Sequence, residues 1–201
     1  MRITVIDYKA GNLTSVVKAL RHLGAEVTVT DRPEPLAAAE RIILPGVGHF
    51  AATKRLDETG LTPAIREAIA SGIPFLGICV GMQWLYAGST EAPDQPGLGV
   101  LPETIERFPD GHEKVPHVGW NQLHPVGNSR LLAGIGDGEF AYFTHSWRAP
   151  VTAATVATTD YIQPFAAAVE KGNVYGTQFH PEKSGETGLT ILRNFLEVTP
   201  C

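Results

Sequence analysis

A cysteine stands between two glycines in Gly77-Ile78-Cys79-Val80-Gly81, directly after the apolar run Pro74-Phe75-Leu76. This is the sequence form of a nucleophile elbow, a strand-to-helix turn with sulfur in place of a serine oxygen. Such a turn needs glycines because a Cβ there would strike neighbouring backbone. A nucleophile held at the start of a helix also sits in a field that, with a histidine nearby, favours thiolate over thiol. Taken alone, Cys79 fits a small buried hydrophobe equally well.

Gln178-Phe179-His180-Pro181-Glu182 shifts that balance. It follows the last apolar strand pattern, so an imidazole and a carboxylate emerge together at a sheet edge. A histidine beside a thiol can take its proton and later give one to a leaving amine, while a carboxylate behind the ring holds the required tautomer. Cys79, His180 and Glu182 are therefore the candidate catalytic residues. Leu44-Pro45-Gly46-Val47-Gly48-His49-Phe50 adds a glycine loop after another strand. Acyl chemistry needs two oxyanion donors, one from the residue after the nucleophile, Val80, and one from such a loop, at Val47 or Gly48. His49 competes with His180 as base but has no carboxylate near it in sequence.

These groups need a scaffold that delivers strand ends to one place. The first half alternates β-rich runs with helical patterns: strands at 2–7, 25–30, 41–44 and 74–78, with helices at 13–23, 37–40, 61–71 and 80–86. Asn12 is an N-cap type ahead of the first long helix. The pattern predicts an α/β fold with a mostly parallel central sheet and helices on both faces. Residues 93–125 read as turns and short strands. Strands at 139–143, 151–158, 165–170 and 173–179, the last two a hairpin across Lys171-Gly172, predict a small additional antiparallel region in the second half, and a helix at 187–197 closes the chain.

At 201 residues and 43% hydrophobic, the chain reads as one domain, 1–201, with a single well-filled core. A net charge of −5 argues against nucleic acid or an anionic membrane as the main partner. No apolar run approaches a membrane span. Cys79 and Cys201 are the only cysteines, which makes a disulfide framework improbable in the expected cytoplasmic setting. Seven scattered histidines and no ligand-spaced pair predict no metal, and no cofactor is expected.

With those motifs in place, the chain resembles the class I (triad) glutamine amidotransferases over essentially its whole length. The resemblance implies a flavodoxin-like three-layer fold and a Cys-His-Glu triad on Cys79, His180 and Glu182, which forms a glutamyl thioester, releases ammonia and yields glutamate. Within that family, Asp7-Tyr8-Lys9-Ala10-Gly11-Asn12 and Pro116-His117-Val118-Gly119-Trp120-Asn121 look like signatures of the glutaminase subunits of imidazole glycerol phosphate synthase. That likeness implies a heterodimer with a (β/α)₈-barrel cyclase. The cyclase receives the ammonia and makes imidazole glycerol phosphate and aminoimidazole carboxamide ribonucleotide in histidine biosynthesis. It also implies that Asn12, Trp120, Asn121 and Lys183 face the partner, and that Gln83, Glu91, Gly48, Thr144, His145 and Ser146 hold glutamine. Lys9 departs from the pattern, standing where many relatives have glycine, and Trp120 fits ordinary core as well. The triad alone also suits the glutaminase of another synthase (anthranilate, pyridoxal phosphate or guanylate synthesis), and a thiol hydrolase or peptidase would use the same elbow.

Overall fold

The computed structural model describes residues 1–111 and 113–199, so Cys201 lies outside the described residues. In the first half, strands β1 (Arg2–Ile6), β2 (Glu26–Thr30), β3 (Ile42–Gly46), β4 (Phe75–Cys79) and β5 (Gly88–Ser89) are interleaved with helices α1 (Leu13–His22), α2 (Lys54–Glu58), α3 (Leu61–Ala70) and α4 (Val80–Gln83). There follow β6 (Thr104–Arg107), β7 (His117–Pro125), β8 (Glu139–His145), β9 (Trp147–Arg148), β10 (Thr155–Tyr161), β11 (Gln163–Lys171), β12 (Val174–Thr177) and helix α5 (Gly185–Glu197).

Nine strands form one sheet in the order β2-β1-β3-β4-β12-β11-β10-β7-β8. It is parallel from β2 to β12 and antiparallel from there to β8. The antiparallel region thus continues the central sheet, and β5, β6 and β9 make a separate three-stranded patch. Strand alternation splits the core in two. Ile43 packs with Val16 and Leu20 of α1 and Ile191 and Phe195 of α5, while Ile42 and Leu44 pack with Leu61 and Ile65 of α3. Helices therefore cover both faces of the parallel half.

The expected helix over 80–86 stops after one turn. The carbonyls of Trp84, Leu85 and Tyr86 accept instead from Leu98, Leu101 and Gly99, so a distant segment takes the groups a longer helix would need. Residues 117–125, within the stretch expected as turns and short strands, form the nine-residue β7, because β8 pairs with it along seven positions despite its glycine. The strand expected at 151–158 lies later, at β10, where pairing with β11 sets its limits. No helix among the described residues is long and apolar enough to cross a membrane.

Candidate active site

Parallel pairing puts the chemistry at one edge. Asn12 follows β1, Val47 and Gly48 follow β3, Cys79 ends β4, and Gln178 to Glu182 follow β12, all at the carboxyl ends of neighbouring strands. Cys79 has φ +54° and ψ −110°, a backbone conformation that costs a side-chain-bearing residue about 1–3 kcal/mol. Packing enforces it: a Cβ on Gly77 would strike the Gly81 backbone, and one on Gly81 would land on the Leu44 carbonyl. Since α4 is only one turn long, its field at the sulfur is weaker than the sequence pattern suggested.

His180 Nδ1–H donates to Glu182 Oε1 at 2.9 Å, and both side chains are 1% exposed. The carboxylate can only accept there, which fixes the tautomer. Asn12 Nδ2 donates to the same Oε1 at 3.1 Å. Asn12 makes no side-chain cap on α1; its amide is committed to Glu182 instead. Burial disfavours a charged His180, but the neighbouring Cys79 charge and the hydrogen bond to Glu182 outweigh it and push its pKa up to about 10. Nε2 nonetheless meets no partner at hydrogen-bond geometry. The sulfur therefore acts on the ring through its charge, without an aligned hydrogen bond.

A cavity of about 310 Å³ opens on Cys79 and Val80 and is lined by all six residues expected to hold glutamine: Gly48, Gln83, Glu91, Thr144, His145 and Ser146. Val47, Pro116 and Trp147 complete the wall. Three of the six, Gln83, Glu91 and His145, have other work. Gln83 Nε2 donates to the Trp147 carbonyl and to Gln178 Oε1, both at 3.0 Å, which leaves only its oxygen for a ligand. Glu91 Oε2 accepts from the Phe50 amide at 2.8 Å and so pins the end of the Gly48 loop. His49 does have a carboxylate near it, Glu91 Oε1 at 4.0 Å, but its ring is exposed and its Nδ1 accepts from the Ala51 amide.

The residues expected as oxyanion donors are unequal. Val80 opens α4, so its N–H has no acceptor within the helix. The Val47 N–H is donated to the Ala10 carbonyl at 2.9 Å and is not available to the cavity in this conformation. Gly48 has φ +90°, with open space around the position of a Cβ. Across from it, Lys9 adopts φ +66°, the conformation a glycine would supply, and anchors it through its own amide and ammonium on Asp7 at 2.9 and 2.7 Å.

On the β7–β8 face, Val118 and Trp120 are 57% and 56% exposed and Phe140 is exposed with them. Trp120 is therefore not core. It meets Tyr142 edge-on, and Lys183 Nζ lies 5.7 Å from the Tyr142 ring centre. Asn121 points elsewhere, donating to His117 Nε2 at 3.3 Å and to the Asp160 carbonyl at 3.0 Å. His145 Nδ1–H must donate to the Trp147 carbonyl (2.8 Å), so its Nε2 accepts from His117 Nδ1–H at 3.1 Å. Burial pushes these two histidines down to about 3 (His145) and about 4 (His117), keeping the relay neutral. The sequence reading missed the His117 relay and Gln178. For Gln178 a signal existed: it stands two residues before His180, the spacing that sends side chains to one side of an extended segment.

The model of the class-I glutamine amidotransferase family matches residues 4–198. Imidazole glycerol phosphate synthase subunit HisH of Methanothermobacter thermautotrophicus is 48% identical over 197 residues, spanning 98% of each chain. The subunit of the same name from Deinococcus radiodurans is 43% identical, spanning 96% of this chain and 92% of that protein. A crystal structure of a glutamine amidotransferase superposes with a TM-score of 0.77 at 23% identity over 97% of both chains, a likeness of fold.

Proposed function

The chain belongs to the class-I glutamine amidotransferase family and, within it, to the HisH glutaminase subunits of imidazole glycerol phosphate synthase, and from that premise we propose how its residues divide the work. Cys79 attacks the side-chain amide carbon of glutamine. His180, held as imidazolium by Glu182, gives its proton to the departing ammonia. The neutral imidazole then activates water, which hydrolyses the glutamyl thioester to glutamate and regenerates the thiolate. The observation that carries this reading is the buried His180–Glu182 pair, oriented at the same sheet edge as Cys79.

Val80 supplies one oxyanion donor. Turning the Gly46–Val47 peptide away from Ala10 supplies the second, at Val47 with Gly48 beside it. A missing donor of this kind typically lowers the rate about 10²- to 10³-fold, so the resting conformation suits an enzyme that waits for its acceptor. Gly48, Gln83 Oε1, Glu91 and the 144–146 backbone hold glutamine. The exposed Val118, Trp120 and Phe140, with Lys183, form the surface for a cyclase partner built as a (β/α)₈ barrel. Tyr142 joins that surface to the site, since its carbonyl accepts from the His180 amide at 2.9 Å. Asn121, turned inward, serves this surface by fixing β7 rather than by direct contact. The protein works in the cytoplasm as a single domain and needs no cofactor.

Ammonia release from glutamine, measured for the chain alone and with the cyclase and its nucleotide ligand, tests this assignment. We expect slow release alone and an increase of about 10²-fold or more in the complex. Equal rates in both would remove the proposed role of the Val47 peptide.

A further inference from the structure

Gln178 stands outside the triad. It is fully buried, and its Nε2 lies 3.7 Å from Cys79 Sγ, within reach of an N–H···S hydrogen bond. Which end of its amide faces the sulfur is decided two residues away. The Trp147 carbonyl can only accept, so Gln83 must turn its NH₂ toward it, at 3.0 Å. The other hydrogen of that NH₂ goes to Gln178 at 3.0 Å, and the atom receiving it must be Oε1. Gln178 is left with its NH₂ toward Cys79. The far end cannot swing freely, because His145 Nδ1–H holds the same Trp147 carbonyl at 2.8 Å.

We propose that Gln178 is a further catalytic residue of this site, whose side-chain N–H donates to Cys79 Sγ and stabilises the attacking thiolate. The inference rests on the reading of Cys79 as the nucleophile and adds a group to it. Two features of the site leave room for such a donor. The single turn of α4 offers little helix field, and His180 Nε2 brings charge without an aligned hydrogen bond. A donor to an ionised acceptor is about twice as strong as one to a neutral group. Gln178 therefore favours thiolate over thiol, and also over the thioester sulfur. The same preference assists the second half-reaction, in which the thiolate is the leaving group.

The test is the pH dependence of Cys79 alkylation by iodoacetamide in the full-length chain, followed by mass spectrometry on the peptide containing Cys79 so that Cys201 does not contribute. Gln178→Met keeps the side-chain length and removes the donor. Its alkylation midpoint is expected about one pH unit higher than wild type, with roughly tenfold slower labelling below the midpoint. Gln178→Met strands one hydrogen of Gln83 and could fail to fold. The pair Gln83→Met with Gln178→Met removes donor and acceptor together, leaves the Trp147 carbonyl on His145, and is expected to show the same shift. A wild-type midpoint in either folded variant would overturn the inference and make Gln178 a packing residue. Failure of a glutamine-analogue electrophile to label Cys79 in the wild type would overturn the reading of Cys79 on which the inference rests.

Discussion

At the Gly77–Gly81 elbow a Cβ on either outer glycine would land on backbone, whereas on Gly48, across the cavity, it would meet nothing within 4 Å. Both turns follow adjacent strands and face the same space, yet the elbow is wedged at both glycines, whereas the second turn is wedged at Gly46, against Tyr8 and Gly81, and free at Gly48. The wedged turn holds Cys79 at a positive φ that it would otherwise leave. The free turn ends in a peptide whose N–H rests on Ala10 rather than in the cavity. On the proposed function, the nucleophile is fixed in place and the second oxyanion donor has still to turn, so control would act through the rate of acyl chemistry.

The strongest way to break this comparison is to add the missing Cβ at each turn. Gly81→Ala is expected to lose about 3 kcal/mol or more, because Leu44 lies in a central strand and cannot retreat. Gly48→Ala is expected to lose only about 1 kcal/mol, the cost of a left-handed φ, while depressing glutamine hydrolysis in the complex. Denaturant midpoints of the two variants check this. Equal losses would mean that the turns do not differ in rigidity.

A smaller effect sharpens the nucleophile side. His180 is held up to about 10 by Cys79 and Glu182 against its own burial. Above that pH the imidazolium loses the proton that leaving ammonia requires, so activity should fall on the alkaline side near pH 10. Glu182→Gln removes a contribution that raises the pKa, so the limb must move down, by about one to two units. A limb that stays in place in the pH–rate profile would show that Glu182 orients the ring without tuning it.

Much of this arrangement is legible in the chain. The parallel half can be read because β1, β3 and β4 are short apolar runs, the last two leading into glycines, and because α1 and α5 show helical spacing of Val16, Leu20, Ile191 and Phe195. Cys79, His180 and Glu182 are visible because their neighbours are unusual residue types at fixed spacing. What could not be read depends on contacts across the sheet. The 84–86 carbonyls are claimed by residues 98–101, which cuts α4 short. Asn12 looks like a helix cap until the fold brings Glu182, 170 residues away, within reach of its amide. Gln83 looks like a ligand for glutamine, and only the Trp147 carbonyl shows that its nitrogen is already engaged. Lys9 in a glycine conformation breaks a local preference that Asp7 compensates.

The most direct test of the central claim is to quench the cyclase complex with acid during turnover of isotopically labelled glutamine and map the covalent product by mass spectrometry. Our account predicts a glutamyl adduct on the peptide carrying Cys79, absent in Cys79→Ala, whose complex still makes product from added ammonium. Glutamine-dependent turnover that persists in Cys79→Ala, or an adduct carried by Cys201 instead, would contradict it.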